Sequence, residues 1–128
     1  MTEGDLKQQL VIELKKQMYG AIVLRHEEIF RAGVPDISVT WNKVTSWWEV
    51  KHVNPRLTGR GLQKLTCLQL SQVGICWYVI YRDVGGLKET RIVEPRLLDS
   101  LETPHAWPGY NHGFVADFVK RKHVDHHR

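Results

Sequence analysis

The stretch Val34 to Lys51, VPDISVTWNKVTSWWEVK, decides how this chain is read. Side chains alternate faces along a strand, so Glu49 and Lys51, two apart, point the same way. With Trp41 and Ser46 flanking a four-residue loop, Asn42 to Thr45, the segment folds as a hairpin in which Asp36 falls opposite Lys51 and diagonal to Glu49. All three then share a polar face with Ser38. The other face carries Ile37, Val39, Trp41, Trp48 and Val50, an apolar set suited to burial under helices. Pro35 fits as well, since a residue without an amide donor is tolerated where a strand begins. Alternation alone also has an ordinary explanation: many sheets have one wet face, and a cross-strand Asp/Lys pair contributes only about 0.2–1 kcal/mol.

The remainder of the chain bounds the answer. Its 128 residues, 42% hydrophobic and 25% charged, suit one globular domain with a proper core and are too few for two. The expected organisation is a single domain over residues 1–122 followed by a flexible His-rich tail, HVDHHR, at 123–128. No run approaches the roughly 18–20 apolar residues of a membrane span. The first residues, MTEGDLKQQ, are polar and acidic, unlike a signal peptide, so an intracellular protein without a membrane partner is expected. Cys67 and Cys76 are too few for a disulfide framework or a four-cysteine zinc site and are expected to pack as small core residues. A net charge of +4 and a pI near 9.2 are compatible with a polyanionic partner.

Periodicity places a helix at Gly4 to Tyr19, with Leu6, Leu10, Leu14 and Met18 as its apolar stripe and Glu13 on the stripe's edge. AIVLRH reads as a strand before the hairpin. After the turn-rich HVNPRLTGRG, a helix, LQKLTCLQLSQV, is closed by Gly74, and ICWYVIYR follows as a strand apolar on both faces. DVGG turns the chain into LKETRIVE, an edge strand. Pro95 then opens a short helix, PRLLDSLE, TPHAWPGYNHG forms a loop, and Phe114 to Lys122 form a last helix. This order indicates an α/β protein with a mixed central sheet and helices on both faces.

Taken in order, GVPD at residues 33–36, EVK at 49–51, and a glutamine-bearing helix leading into an apolar strand resemble the PD-(D/E)XK nuclease superfamily, and within it the VRR-Nuc family and neighbouring Holliday-junction resolvases. The likeness runs from Glu13 to about Arg82. It implies a restriction-endonuclease-like fold and a metal-dependent DNA endonuclease using Mg2+, with Mn2+ able to substitute. Asp36, Glu49 and the backbone carbonyl of Val50 are then metal ligands, and Glu13 holds the metal directly or through water. Lys51 orients or deprotonates the attacking water, or stabilises charge on the phosphate. Gln63, eleven residues before Gly74, matches the family's helical glutamine. Gln69, between Leu62 and Leu65 on an apolar helix face, is the alternative; the two lie about 120° apart, so both cannot face one site.

The chemistry suits these residue types. A hard divalent cation takes oxygen ligands, so carboxylates and a carbonyl suffice, and the set lacks the histidines and cysteines that zinc favours. Arg25, Arg31, Arg56, Arg60 and Lys64 flank the motif and form an expected phosphate-gripping rim. His26 and His52 each touch phosphate or cap a strand end, and Trp47, on the polar face, stacks on a base or, the favoured reading, packs at the sheet edge. With little chain left for reading base sequence, selection of branched or four-way-junction DNA by shape is expected. Symmetric cutting of a junction needs two sites and hence a homodimer. The alternatives are an inactive DNA-binding module of the same fold, a sequence-specific restriction-type endonuclease, and a zinc hydrolase using the C-terminal histidines.

Overall fold

The computed structural model describes residues 1–27, 33–54 and 62–126. In chain order they form α1 (Glu3–Gln17), β1 (Ile22–Arg25), β2 (Ile37–Trp41), β3 (Val44–Val53), α2 (Leu62–Val73), β4 (Ile75–Val84), β5 (Leu87–Val93), a single 3-10 turn at Pro95–Leu97, β6 (Ala106–Pro108) and α3 (His112–His126). The strands lie side by side in sequence order, β1 to β6. Every neighbouring pair is antiparallel except β3 and β4, which run parallel and are joined by α2. This is the expected α/β architecture with a mixed sheet.

Two cores follow from the alternation. Ile37, Val39, Trp48, Val50, Val79 and Tyr81 pack against Leu6, Leu10, Leu14 and Met18 of α1 and Val115, Phe118 and Val119 of α3. On the other face Val53, Cys76, Tyr78, Ile80 and Val93 pack against Cys67 of α2 and Leu98. β4 is therefore covered on both sides, as its unbroken apolar run implies.

The hairpin is tighter than expected. Trp41 pairs with Val44, leaving a two-residue turn in which Asn42 and Lys43 both have positive φ, 52° and 66°. A turn of that hand matches the twist of the strands it joins, and asparagine tolerates it readily. The register thereby slides by two residues, which brings Asp36 opposite Glu49 and not Lys51. Because the side-chain period is also two, both faces keep their residues.

Other elements also depart from expectation. α1 ends at Gln17, with Tyr19 exposed and Gly20 at φ 85°. Its start is fixed by Thr2, whose hydroxyl accepts from Asp5 N–H while the Asp5 carboxylate accepts from Thr2 N–H. β5 is not an edge, because β6 pairs outside it. The short helix after Pro95 shrinks to one 3-10 turn: Leu101 N–H still reaches the Leu97 carbonyl at 2.9 Å, but Leu101 has φ 58° and takes the chain out of the helix.

The C-terminus differs most. α3 runs through residues 123–126, assigned above to a flexible tail, and His123 is fully buried. Its Nδ1 faces the Trp41 carbonyl at 3.3 Å, and its Nε2 lies 2.7 Å from Ser46 Oγ, which accepts from Trp48 Nε1 at 2.7 Å. A carbonyl only accepts, so Nδ1 carries a proton toward Trp41, while Nε2 shares Ser46 Oγ with the Val39 carbonyl 3.4 Å away. The imidazole thus ties α3 to the hairpin. Replacing it strands buried polar partners, so His123→Ala is expected to lower unfolding free energy by about 2–3 kcal/mol in urea titrations; an unchanged midpoint and slope would contradict this account of α3.

Candidate active site

β3 is ten residues long and β2 only five, so β3 continues past its partner from Glu49 onward. The N–H groups along that uncovered edge need acceptors. Two carboxylates supply them: Asp36 Oδ2 accepts from Val50 N–H at 2.9 Å, and Glu3 Oε2 from His52 N–H at 3.0 Å. A strand residue's N–H and C=O point to the same neighbour, so the Val50 carbonyl faces this corner too.

Asp36 is held on all sides. Its carbonyl accepts from His26 N–H at 2.7 Å, its own N–H donates to Glu49 Oε1 at 2.9 Å, and its Oδ1 pairs with Lys7 Nζ at 2.9 Å. Lys7 also lies 3.6 Å from Glu3 Oε1, one helical turn earlier. The second oxygen of Glu49, Oε2, is buried and has no hydrogen bond among the described residues, although Lys51 Nζ stands 3.1 Å away as an ion-pair partner off hydrogen-bond alignment. Glu49 is 0% exposed and Lys51 5%.

Burial pushes the Glu49 carboxyl up, and the neighbouring Asp36 charge pushes further; Lys51 only partly offsets them, leaving a pKa of about 8. For Lys7, burial opposes the charge, but the hydrogen bond and charge of Asp36, with Glu3 and Glu49 behind, raise its pKa above the ordinary value. Among the described residues no three His, Cys, Asp or Glu side chains gather as a ready-made metal cage. What suits a hard cation is narrower: a buried carboxylate oxygen without a hydrogen bond, a second carboxylate across the strand, and a carbonyl edge between them.

Of the residues expected at the site, Asp36, Glu49, Val50 and Lys51 come together. Glu13 is placed elsewhere. It follows Lys7 by six residues, about 240° around α1 and about 9 Å along it, and its Oε1 accepts from Gln17, which also donates to the Gly113 carbonyl. Glu3, four before Lys7, is the α1 carboxylate that reaches the corner. Gln63 is the second residue of α2, one turn ahead of Cys67 in the same helical row, whereas Gln69 is exposed and Leu65 half exposed. The Cys67 thiol, lowered chiefly by its contact with Cys76, also feels the charges of Lys51 and Asp36.

Arg31, Arg56 and Arg60 lie outside the described residues. Arg25 donates to Gln8 and pairs with Glu27, and Lys64 pairs with Asp99 at 2.8 Å. His26 caps the β1–β2 pair and meets Ser38 Oγ at 2.7 Å, its ring against Trp47. His52 turns to the opposite face, where Nε2 meets Tyr110 Oη at 2.9 Å.

The reading from residues missed Glu3 and Lys7. Their only signal is an acid–base pair spaced i, i+4 in a first helical turn, which surface helices show commonly. Compared with known proteins, the chain matches no family model and no curated relative.

The raised Glu49 pKa has a signed consequence. Between pH 4.5 and about 8 the folded carboxyl keeps a proton that the unfolded chain has lost, so the stability is full below 4.5 and is lost as pH rises through 8. Removing the ionisation with Glu49→Gln should flatten this slope and make the variant the more stable protein at pH 9, by up to about 5 kcal/mol. Parallel wild-type and variant stability curves from pH 5 to 9 would show that Glu49 ionises freely.

Proposed function

We propose that this protein is a metal-dependent deoxyribonuclease of restriction-endonuclease-like fold, hydrolysing DNA phosphodiesters with Mg2+, or with Mn2+ in its place. The observation that carries this reading is the corner where β2 stops: Asp36, Glu49 and the Val50 carbonyl edge converge there, with Lys51 on Glu49. Charge supports it. When Glu49 is ionised, Glu3, Asp36 and Glu49 face the two ammonium groups of Lys7 and Lys51, an excess of one negative charge.

Asp36, Glu49 and the Val50 carbonyl would hold the cation, with Glu3 beside them. The cation supplies Lewis-acid activation of water and shielding of the phosphate. The residues of the chain do the rest. Lys51, 3.1 Å from the buried Glu49 carboxylate, would offer its charge to a phosphate oxygen. Asp36 and Glu49 are pre-positioned by backbone N–H groups and need no rearrangement to converge. Gln63, the helical glutamine that the resemblance assigns, would orient water or phosphate. Selection of branched DNA and assembly as a homodimer complete the proposal, on the resemblance of GVPD and EVK to the junction-resolving relatives.

The test is cleavage of linear, single-stranded, flapped and four-way-junction DNA with Mg2+, Mn2+ or chelator. Metal-dependent cutting, lost about a hundredfold or more in Glu49→Gln and Lys51→Ala, is expected. Cutting that survives chelator or both substitutions would reject the site. Glu3→Gln should lose more activity than Glu13→Gln in the same assay; the reverse order would restore Glu13 as the helical ligand.

A further inference from the structure

We infer that Lys7 is a competitor built into the cation site: its ammonium and a divalent ion contend for the same carboxylate oxygens, so Lys7 sets the metal concentration at which the site fills. The inference rests on the proposed reading of Asp36 and Glu49 as ligands. Lys7 Nζ lies 2.9 Å from Asp36 Oδ1 and 3.6 Å from Glu3 Oε1, bridging the two carboxylates of the uncovered β3 edge. The other oxygen of Asp36 is committed to Val50 N–H, so Oδ1 is the one left to serve a cation. That is the oxygen Lys7 holds.

The placement is built by the fold. The Thr2–Asp5 capping box fixes where α1 begins, which sets Glu3 at its first position. Lys7 follows one turn later on the same side, and α1 is locked onto the sheet through Leu6, Leu10 and Leu14. Lys7 is still 20% exposed at its side chain, with a flexible stem. It can therefore leave Asp36 without moving the helix. Lys51 differs, being 7% exposed and paired with Glu49 Oε2. The two lysines thus divide the roles: Lys51 stays with the chemistry and Lys7 yields.

Competition makes an unusual prediction for loss of a site residue: affinity for metal goes up. Mn2+ binding to the DNA-free protein, measured by calorimetry, should be about three- to fivefold tighter in Lys7→Met than in wild type, the size expected for giving up a partly exposed ion pair. Lys7→Arg, which keeps the charge, should bind Mn2+ as wild type does or more weakly. Matching far-UV circular dichroism and unfolding curves identify folded variants. Equal or weaker Mn2+ binding by folded Lys7→Met overturns the inference while leaving the metal site in place. If wild type binds no Mn2+, or Glu49→Gln binds it as well as wild type does, the cation reading falls and the inference with it.

Discussion

A buried carboxylate, Glu49, must be kept from repelling its neighbour Asp36, and the rest of the structure is arranged around that constraint. Two acids pressed together away from water are costly unless protons, N–H groups or cations neutralise them. Here all three are present. The Asp36 N–H serves Glu49, the Val50 N–H serves Asp36, Lys51 and Lys7 bring charge from either side, and the Glu49 carboxyl is pushed toward keeping its proton. Each provision depends on a distinct element. β2 must end early to expose the β3 edge, and α1 must begin at Glu3 to deliver Lys7.

The corner also has a topological reason. β3 and β4 are the parallel pair of the described sheet, and β2 is antiparallel to β3, so strand direction changes across β3. Ligand sites in open α/β sheets favour the carboxyl ends of strands. Glu49 to Val53 are the last residues of β3. Glu49 and Lys51 there are 0% and 5% exposed. Such a place can hold charge in a low dielectric, which is what cation binding and phosphate chemistry require.

Much of this was legible in the residues. The period-two alternation from Asp36 to Lys51 gave both faces of the hairpin correctly even though the loop was read two residues too long, because parity survives an even slip. The apolar run Ile75 to Tyr81 announced a strand buried on both sides. What escaped were features set by tertiary geometry. Glu13 and Glu3 both sit on α1 near its apolar stripe, and only the crossing of α1 over β3 decides which one reaches the sheet. His123 looked like part of a polar terminal run, yet it ends in the core because Ser46 and the Trp41 carbonyl offer it matched partners. β6 carries two prolines' worth of turn signal around it and only three paired residues, too little pattern to stand out.

The account turns on whether Asp36 and Glu49 share a cation. Crystals grown at pH 8.5, where Glu49 is largely ionised, and soaked in manganese would answer directly through anomalous scattering. The predicted result is a single strong manganese peak between the Asp36 and Glu49 carboxylates on the Val50 side, with the Lys7 ammonium moved off Asp36. A map with no peak there, and with Lys7 still on Asp36 at saturating manganese, would contradict it.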